Sequence, residues 1–138
     1  MGTGDARIRV FVADDHPLYR EGVVRAIKER PDLELVGQCG EGRLALAQVQ
    51  ELEPDVVVLD MRLPSLNGIQ VITALVDAGS RTRALVLSAF DDGALVYEAT
   101  AAGAHGYVTK DAERQVICDA IAAVARGRSY FSRTSTAA

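Results

Sequence analysis

The chain has 138 residues, of which 49% are hydrophobic and 25% are charged, and this length and composition are typical of a single globular domain. Its 19 acidic residues outnumber its 15 basic residues, and the net charge of −4 argues against direct nucleic-acid binding, which needs a basic surface. No segment approaches the roughly 18 apolar residues of a membrane span, and residues 1–7 lack a signal-peptide core, so we expect a cytoplasmic protein without membrane contact.

Short runs rich in Val, Ile and Leu alternate with amphipathic segments, which is typical of repeated β-α units around a parallel sheet. In chain order the pattern predicts a strand at 8–13, a helix at 16–30, a strand at 33–39, a helix at 42–52, a strand at 56–60, a helix at 68–78, a strand at 84–88, a helix at 91–102, a strand at 106–109 and a helix at 112–126. These elements predict a doubly wound α/β domain of the flavodoxin-like (βα)5 type, with five parallel strands in the order 2-1-3-4-5.

The first predicted helix has Pro17 in its opening turn, a position that Pro favours. Leu18 or Gly22, together with Val23 and Ile27, is expected to supply the face that packs on the sheet.

Ionisable and hydroxyl residues stand at the ends of the predicted strands. Asp14 and Asp15 follow the first strand, Asp60 ends the third, Ser88 ends the fourth and Lys110 follows the fifth. Ligands of an open α/β sheet bind outside the carboxyl ends of its strands. We therefore expect these five side chains to meet in one crevice.

The five residues together predict phosphoryl transfer to a carboxylate. Neighbouring carboxylates repel one another by about 4 kcal/mol per pair at an effective dielectric constant near 20, so a cation is needed to compensate them. Mg²⁺, or Mn²⁺ in its place, is expected at Asp14, Asp15 and Asp60 because it prefers oxygen ligands. Lys110 and Ser88 suit the oxygens of a phosphoryl group.

Each of these residues also has a simpler interpretation when it is taken alone. Asp14 and Asp15 are suitable caps for the first helix, Ser88 is a suitable turn hydroxyl, and Lys110 is a suitable surface residue. A carboxylate at Asp60, at the end of an apolar strand, is harder to explain because an unpaired buried charge is costly. The coincidence of all five residues is what favours a site.

Other residues with chemical potential favour structural roles. His16 and His105 are expected to face solvent, because neither has a partner at metal-binding spacing. Cys39 and Cys118 are expected to be reduced, buried side chains. Tyr107 is interpreted either as a core residue or as a mobile ring.

Three segments resemble the receiver domains of bacterial response regulators, and more narrowly those of NarL/LuxR-type regulators. They are ADDHPLYREG at 13–22, DVVVLDMRLPSLNG at 55–68 and GAHGYVTKD at 103–111. The resemblance covers about 8–132 and implies a receiver-like (βα)5 domain at 7–127 in a two-component system.

The resemblance implies a role for each acidic residue. Asp60 is the phosphoacceptor, and Mg²⁺ is held by Asp14, Asp15, Asp60 and the main-chain carbonyl of Arg62. The phosphoryl donor is a sensor histidine kinase or a small acyl phosphate. We expect a switch that phosphorylates and dephosphorylates itself, and not a turnover enzyme.

The resemblance also implies a conformational switch. Lys110 and Ser88 contact the phosphoryl group, Ser88 moves toward it, and Tyr107 turns inward. This movement remodels the surface of the fourth helix, the fifth strand and the fifth helix, and homodimerisation is expected on phosphorylation. The dimer interface stays open between the face of the first and fifth helices and the face of the fourth helix.

Relatives of this type continue into a helix-turn-helix DNA-binding domain, so 128–138 is interpreted as a linker toward such a domain, which would supply the contact with DNA. A naturally single-domain receiver is the alternative. Three residues depart from the common pattern: Asn67 stands where Asp is frequent, Leu63 where Met is frequent, and Asp111 where many receivers have Pro.

Two rival functions fit the residues less well. A phosphatase of the haloacid-dehalogenase type needs an Asp-x-Asp pair after one strand, whereas this chain has the adjacent pair Asp14-Asp15 and, after another strand, Asp60-Met61-Arg62. A phosphorylation-independent pseudo-receiver usually lacks one of the acids or the Lys. This chain has all three acids and the Lys.

Overall fold

The computed structural model describes residues 6–90 and 92–131. This part of the chain contains six strands, which are β1 (Ile8–Ala13), β2 (Leu33–Cys39), β3 (Val56–Asp60), β4 (Arg83–Ser88), β5 (Gly106–Thr109) and β6 (Tyr130–Phe131). Its five helices are α1 (Pro17–Lys28), α2 (Gly42–Leu52), α3 (Gly68–Asp77), α4 (Gly93–Ala102) and α5 (Arg114–Ala125). The predicted alternation of strands and helices is confirmed.

The strands form one parallel sheet with the order β2-β1-β3-β4-β5-β6. The predicted order of the first five strands is confirmed, but the predicted number of strands is wrong by one. Tyr130 and Phe131 pair with Gly106 and Tyr107 at the edge of the sheet. A pair of residues is too short to show a strand pattern in the sequence, and this pairing becomes available only because α5 returns the chain to that edge.

Two apolar layers hold the helices against the sheet. Alternate residues of β3 face opposite layers, with Val57 and Leu59 on the side of α2, α3 and α4 and Val56 and Val58 on the side of α1 and α5. All five residues of this strand are buried, as is usual for a parallel strand that helices cover on both faces. Among the described residues, no helix combines the length and the apolar character that crossing a bilayer requires.

The buried face of α1 differs from the prediction at Leu18, whose side chain is 83% exposed. Val23 and Ile27 are buried as expected, and Val24 joins them. Leu18 lies nine residues before Ile27, and about 100° of rotation per residue puts it on the opposite side of the helix. The expectation that Leu18 packs on the sheet is therefore wrong.

A capping side chain marks the start of α4, and α5 begins later than predicted. Asp92 caps α4 by accepting a hydrogen bond from the main-chain N–H of Ala94 at 2.8 Å, so the helix begins at Gly93. The predicted start at 91 lies outside the described residues. Glu113 is the N-cap of α5, which begins two residues later than the predicted position 112.

Candidate functional site

The carboxyl ends of four neighbouring strands converge on one edge of the sheet. Asp14 directly follows β1, Asp60 ends β3, Ser88 ends β4 and Lys110 directly follows β5. Asp14 and Asp60 are 1% and 3% exposed, so both carboxylates lie in the protein interior. Asp14, Asp60 and Lys110 meet at one crevice, as the strand order predicts, and Ser88 ends the strand between β3 and β5.

Lys110 is the cation of this crevice. Its Nζ lies 2.9 Å from Oδ2 of Asp14 and 3.0 Å from Oδ2 of Asp60, and only 14% of its side chain is exposed. The ring of Tyr19 lies beside the same ammonium group, with 4.7 Å between Nζ and the ring centroid. Lys110 is therefore a partly buried counter-ion of two buried carboxylates and not a solvated surface residue.

Asp15 and His16 complete the polar cluster on its solvent side. Nδ1 of His16 lies 3.2 Å from Oδ1 of Asp14 and 3.2 Å from Oδ1 of Asp15. One donor atom from each of Asp14, Asp15, His16 and Asp60 lies within 4.8 Å of the others. His16 faces solvent as expected, with 65% of its side chain exposed, but its imidazole also contacts the acids, so the expectation that it has no partner at metal-binding spacing is wrong.

The second histidine lies at the other end of the sheet. His105 precedes β5, is half-buried, and its Nδ1 accepts a hydrogen bond from the main-chain N–H of Ala84 at 3.2 Å. Burial lowers the pKa of His105, and the positive charge of Arg83 lowers it further. The predicted solvent-facing position of His105 is wrong, since the chain turns it against β4.

Opposing effects act on the ionisation of Asp60. Burial, the largest effect, raises its pKa, and the negative charge of Asp14 raises it further. The hydrogen bond from Lys110 lowers the pKa, as does the main-chain N–H of Arg62, which donates to Oδ1 at 3.2 Å. The net direction is upward, so the carboxylate is held in a site that disfavours its charge.

Ser88 and Tyr107 are connected through the segment after β4. The Oγ atom of Ser88 accepts a hydrogen bond from the main-chain N–H of Phe90 at 3.0 Å. Tyr107 is buried, and its hydroxyl donates to the main-chain oxygen of Phe90 at 2.8 Å. Of the two interpretations of Tyr107, the structure shows the core residue.

The donor set fits a hard divalent cation. Three carboxylates and one imidazole converge here, and carboxylate oxygens are the preferred protein ligands of Mg²⁺. Oδ2 of Asp14 is buried and accepts no well-aligned hydrogen bond, although Lys110 lies close to it. A buried carboxylate oxygen in this condition has coordination capacity left for a metal.

Comparison with known proteins assigns the family. The family model "Response regulator receiver domain" matches residues 10–122. The chain belongs to the response regulator receiver family. Its relatives include the probable transcriptional regulatory protein NarL of Mycobacterium tuberculosis, 43% identical over 126 residues that make up 91% of this chain and 58% of the relative.

A second relative is the uncharacterized transcriptional regulatory protein YxjL of Bacillus subtilis, which is 39% identical over 96% of this chain and 60% of its own length. Among solved structures, the signal receiver domain of the response regulator NarL from Mycobacterium tuberculosis superposes with a TM-score of 0.87. It is 43% identical to this chain, and the match covers 88% of this chain and 98% of that structure. The receiver domain described here is thus of the NarL/LuxR type, and it spans somewhat under two thirds of the curated relatives.

The three departures from the family pattern leave the receiver site intact. Asn67 forms a capping box with Gln70 at the start of α3, a role that suits Asn as well as Asp. Leu63 is buried in the apolar layer beneath α2 and α3. Asp111 lies beside Thr109, whose hydroxyl donates to it, and no cis peptide bond occurs among residues 6–90 and 92–131.

Proposed function

We propose that the receiver domain accepts a phosphoryl group on Asp60. The donor is a phosphohistidine of a sensor histidine kinase or a small acyl phosphate. Asp14, Asp15, Asp60 and the main-chain carbonyl of Arg62 hold Mg²⁺, or Mn²⁺ in its place. The observation that carries the proposal is the ammonium group of Lys110, bound between two buried carboxylates at the carboxyl edge of the sheet.

The chemistry is an in-line attack of an Asp60 carboxylate oxygen on phosphorus. A P–O bond to Asp60 forms as the bond from phosphorus to the donor's nitrogen or oxygen breaks. The bound divalent cation supplies charge compensation for the phosphoryl oxygens. Lys110 exchanges Asp60 for a phosphoryl oxygen, which its flexible side chain allows, and Ser88 offers its hydroxyl proton to another.

The resulting acyl phosphate is hydrolysed slowly at the same site, so the domain acts as a switch that modifies itself. Ser88 and Tyr107 both contact the main chain of Phe90, which supports a coupled response of these side chains to a new dianion. If Ser88 turns to donate to the phosphoryl group, the loop that carries Phe90 must move as well, because its main-chain N–H is bonded to the Oγ atom of Ser88. The surface of α4, β5 and α5 then changes, and the proposed consequence is homodimerisation.

We further propose that 128–138 is the beginning of a linker to a helix-turn-helix effector domain that lies outside this chain. The names of the relatives support this, since one is the DNA-binding transcriptional activator DevR/DosR of Mycobacterium tuberculosis, 37% identical over 60% of its length. Tyr130 and Phe131 pair with β5, so the linker leaves from the edge of the sheet, and 132–138 lie outside the described residues. The effector domain would then bind the DNA. We expect the protein to lie in the cytoplasm, where it can meet both the kinase and the DNA.

Incubation with acetyl phosphate and Mg²⁺, followed by intact-mass spectrometry, tests the proposal. Wild type should gain one phosphoryl group, and Asp60→Asn should gain none. Asp55→Asn is the matched control, because Asp55 precedes the same strand at the opposite edge of the sheet and its new amide oxygen still accepts from the main-chain N–H of Arg9. Wild type without added mass, or Asp60→Asn with it, would contradict the proposal.

A further inference from the structure

The aromatic ring of Tyr19, in the first turn of α1, contacts two cations from the segment that follows β5. Its centroid lies 4.7 Å from Nζ of Lys110 and 4.5 Å from the guanidinium carbon of Arg114. Both distances are inside the roughly 6 Å within which a cation is attracted to an aromatic ring. One side chain of α1 therefore contacts both the lysine of the site and the first residue of α5.

Two residues around this ring are unfavourable for the helices that carry them. Arg114 begins α5, where the helix dipole disfavours a positive charge. Gly22 lies inside α1, where Gly is about 1 kcal/mol less favourable than Ala. A Cβ at Gly22 would lie 3.1 Å from two nitrogen atoms of Arg114, so the glycine leaves room for the guanidinium group. Helix rules that fail together at one place indicate a functional contact.

The hydroxyl group of Tyr19 does not explain its position. Its oxygen is buried and has no hydrogen-bond partner among the residues that the structure describes. Burial, the largest effect, raises the pKa of Tyr19 to about 12, although the positive charge of Arg114 lowers it. The phenol is therefore neutral at physiological pH, and the part of Tyr19 that contacts the site is the ring.

We propose that Tyr19 is a positioning residue for phosphoryl transfer, because its ring holds the ammonium group of Lys110 at the crevice. The inference rests on the proposed function, in which Lys110 exchanges Asp60 for a phosphoryl oxygen. The ion pairs of Lys110 with the acids weaken when those carboxylates bind a divalent cation. The ring is uncharged and competes with neither the cation nor the phosphoryl group, so it retains Lys110 during the exchange. The contact with Arg114 in turn fixes the ring.

Relaxation NMR of the lysine side chains tests the positioning without a phosphodonor. The chain has two lysines, so ¹³C-labelled lysine reports on Lys110 and on Lys28, which is exposed at the end of α1 and serves as the internal reference. In Mg²⁺-saturated wild type and in Tyr19→Phe, the ε-carbon of Lys110 should be ordered. In Tyr19→Leu its order parameter should fall toward that of Lys28. An equally ordered Lys110 in Tyr19→Leu would overturn the inference.

The rate of phosphorylation by acetyl phosphate, followed by intact-mass spectrometry, gives the kinetic test. Tyr19→Leu should gain phosphoryl mass about tenfold more slowly than wild type, whereas Tyr19→Phe, which keeps the ring, should stay within about twofold. The Mg²⁺ affinity, measured by calorimetric titration, should not fall in either variant because no acid is changed. Equal rates in wild type and Tyr19→Leu, or a matching loss of Mg²⁺ affinity in Tyr19→Leu, would count against the positioning role.

Arg114→Gln is a second variant that leaves Tyr19 and Lys110 in place. It should slow phosphorylation about threefold yet keep the urea midpoint of wild type, because removing a positive charge from the start of α5 offsets the lost ring contact. A rate and a midpoint that fall together would indicate a structural role and contradict the inference. A wild type that gains no phosphoryl mass defeats the proposed function alone, since the relaxation measurement still decides whether Tyr19 positions Lys110.

Discussion

Replacing Lys110 by Met should lower the free energy of unfolding by about 3 kcal/mol at pH 7 in metal-free buffer. The ammonium group lies 2.9 Å and 3.0 Å from oxygens of Asp14 and Asp60, both of which are buried. Met keeps most of the apolar length of Lys but leaves the two carboxylates facing each other without their cation. Removing one partner of a buried ion pair costs about 3–5 kcal/mol, and the lower end applies because the site opens to solvent at Asp15.

The free energy of unfolding that is lost in Lys110→Met should become smaller as the pH falls. The pKa of Asp60 is raised above its ordinary value of 3.8 even with Lys110 present, mainly by burial. A carboxyl group whose pKa is higher in the folded state destabilises the fold above that folded pKa and has no such effect below the unfolded value. Loss of the ammonium group raises the folded pKa further, so the stabilities of wild type and variant should converge toward pH 4.

Urea unfolding followed by circular dichroism measures both effects. Lys28→Met is the matched control, because Lys28 is the other lysine of the chain and is exposed at the end of α1. Saturating Mg²⁺ should restore most of the stability lost in Lys110→Met, since a bound cation compensates the same carboxylates. The reasoning would be refuted if the two lysine variants lost equal stability at pH 7.

Four further variants test the packing around the site. Asp60→Asn in metal-free buffer should raise the urea midpoint at pH 7, because the amide carries no charge to desolvate; a lower midpoint would contradict this. Gly42→Ala should lower the free energy of unfolding by about 3 kcal/mol, because a Cβ there would lie 1.8 Å from the main-chain oxygen of Leu66. Its control, Gly93→Ala, adds a Cβ with no atom within 4 Å and should be neutral or slightly stabilising. Thermal unfolding of the two variants measures the difference. Tyr107→Phe should lose about 1 kcal/mol with its hydrogen bond to a main-chain oxygen, and an unchanged urea midpoint would argue against that bond.

Most of the site geometry could be predicted from the sequence because it follows from strand ends. In a parallel sheet every strand delivers its last residue to the same edge, so finding Asp60 and Ser88 at strand ends predicts that they are close. The burial of β3 could also be predicted, because a strand with four consecutive apolar residues has no solvent-facing side. Both predictions depend on locating the strands from their short apolar runs.

The features that the sequence did not reveal depend on contacts between distant residues. His16 follows Asp14 and Asp15 directly, but metal-ligand spacing rules do not cover adjacent residues that lie at the turn between a strand and a helix. Two features of the sequence could have indicated the contact of His16 with the acids. His16 directly follows two aspartates, and His is unusual at the N-cap of a helix. The pairing of Tyr130 with β5 is also non-local, because it depends on where α5 ends.

The position of Lys110 links the stability of the fold to the proposed chemistry. Asp14 and Asp60 are both buried, and the ammonium group of Lys110 lies 2.9 Å and 3.0 Å from their oxygens, where its positive charge compensates theirs. In the proposed mechanism, the same ammonium group moves to the phosphoryl oxygens during transfer to Asp60. We therefore expect Lys110 to move toward the phosphoryl group only when a divalent cation at Asp15 and its neighbours would compensate the two acids that it leaves.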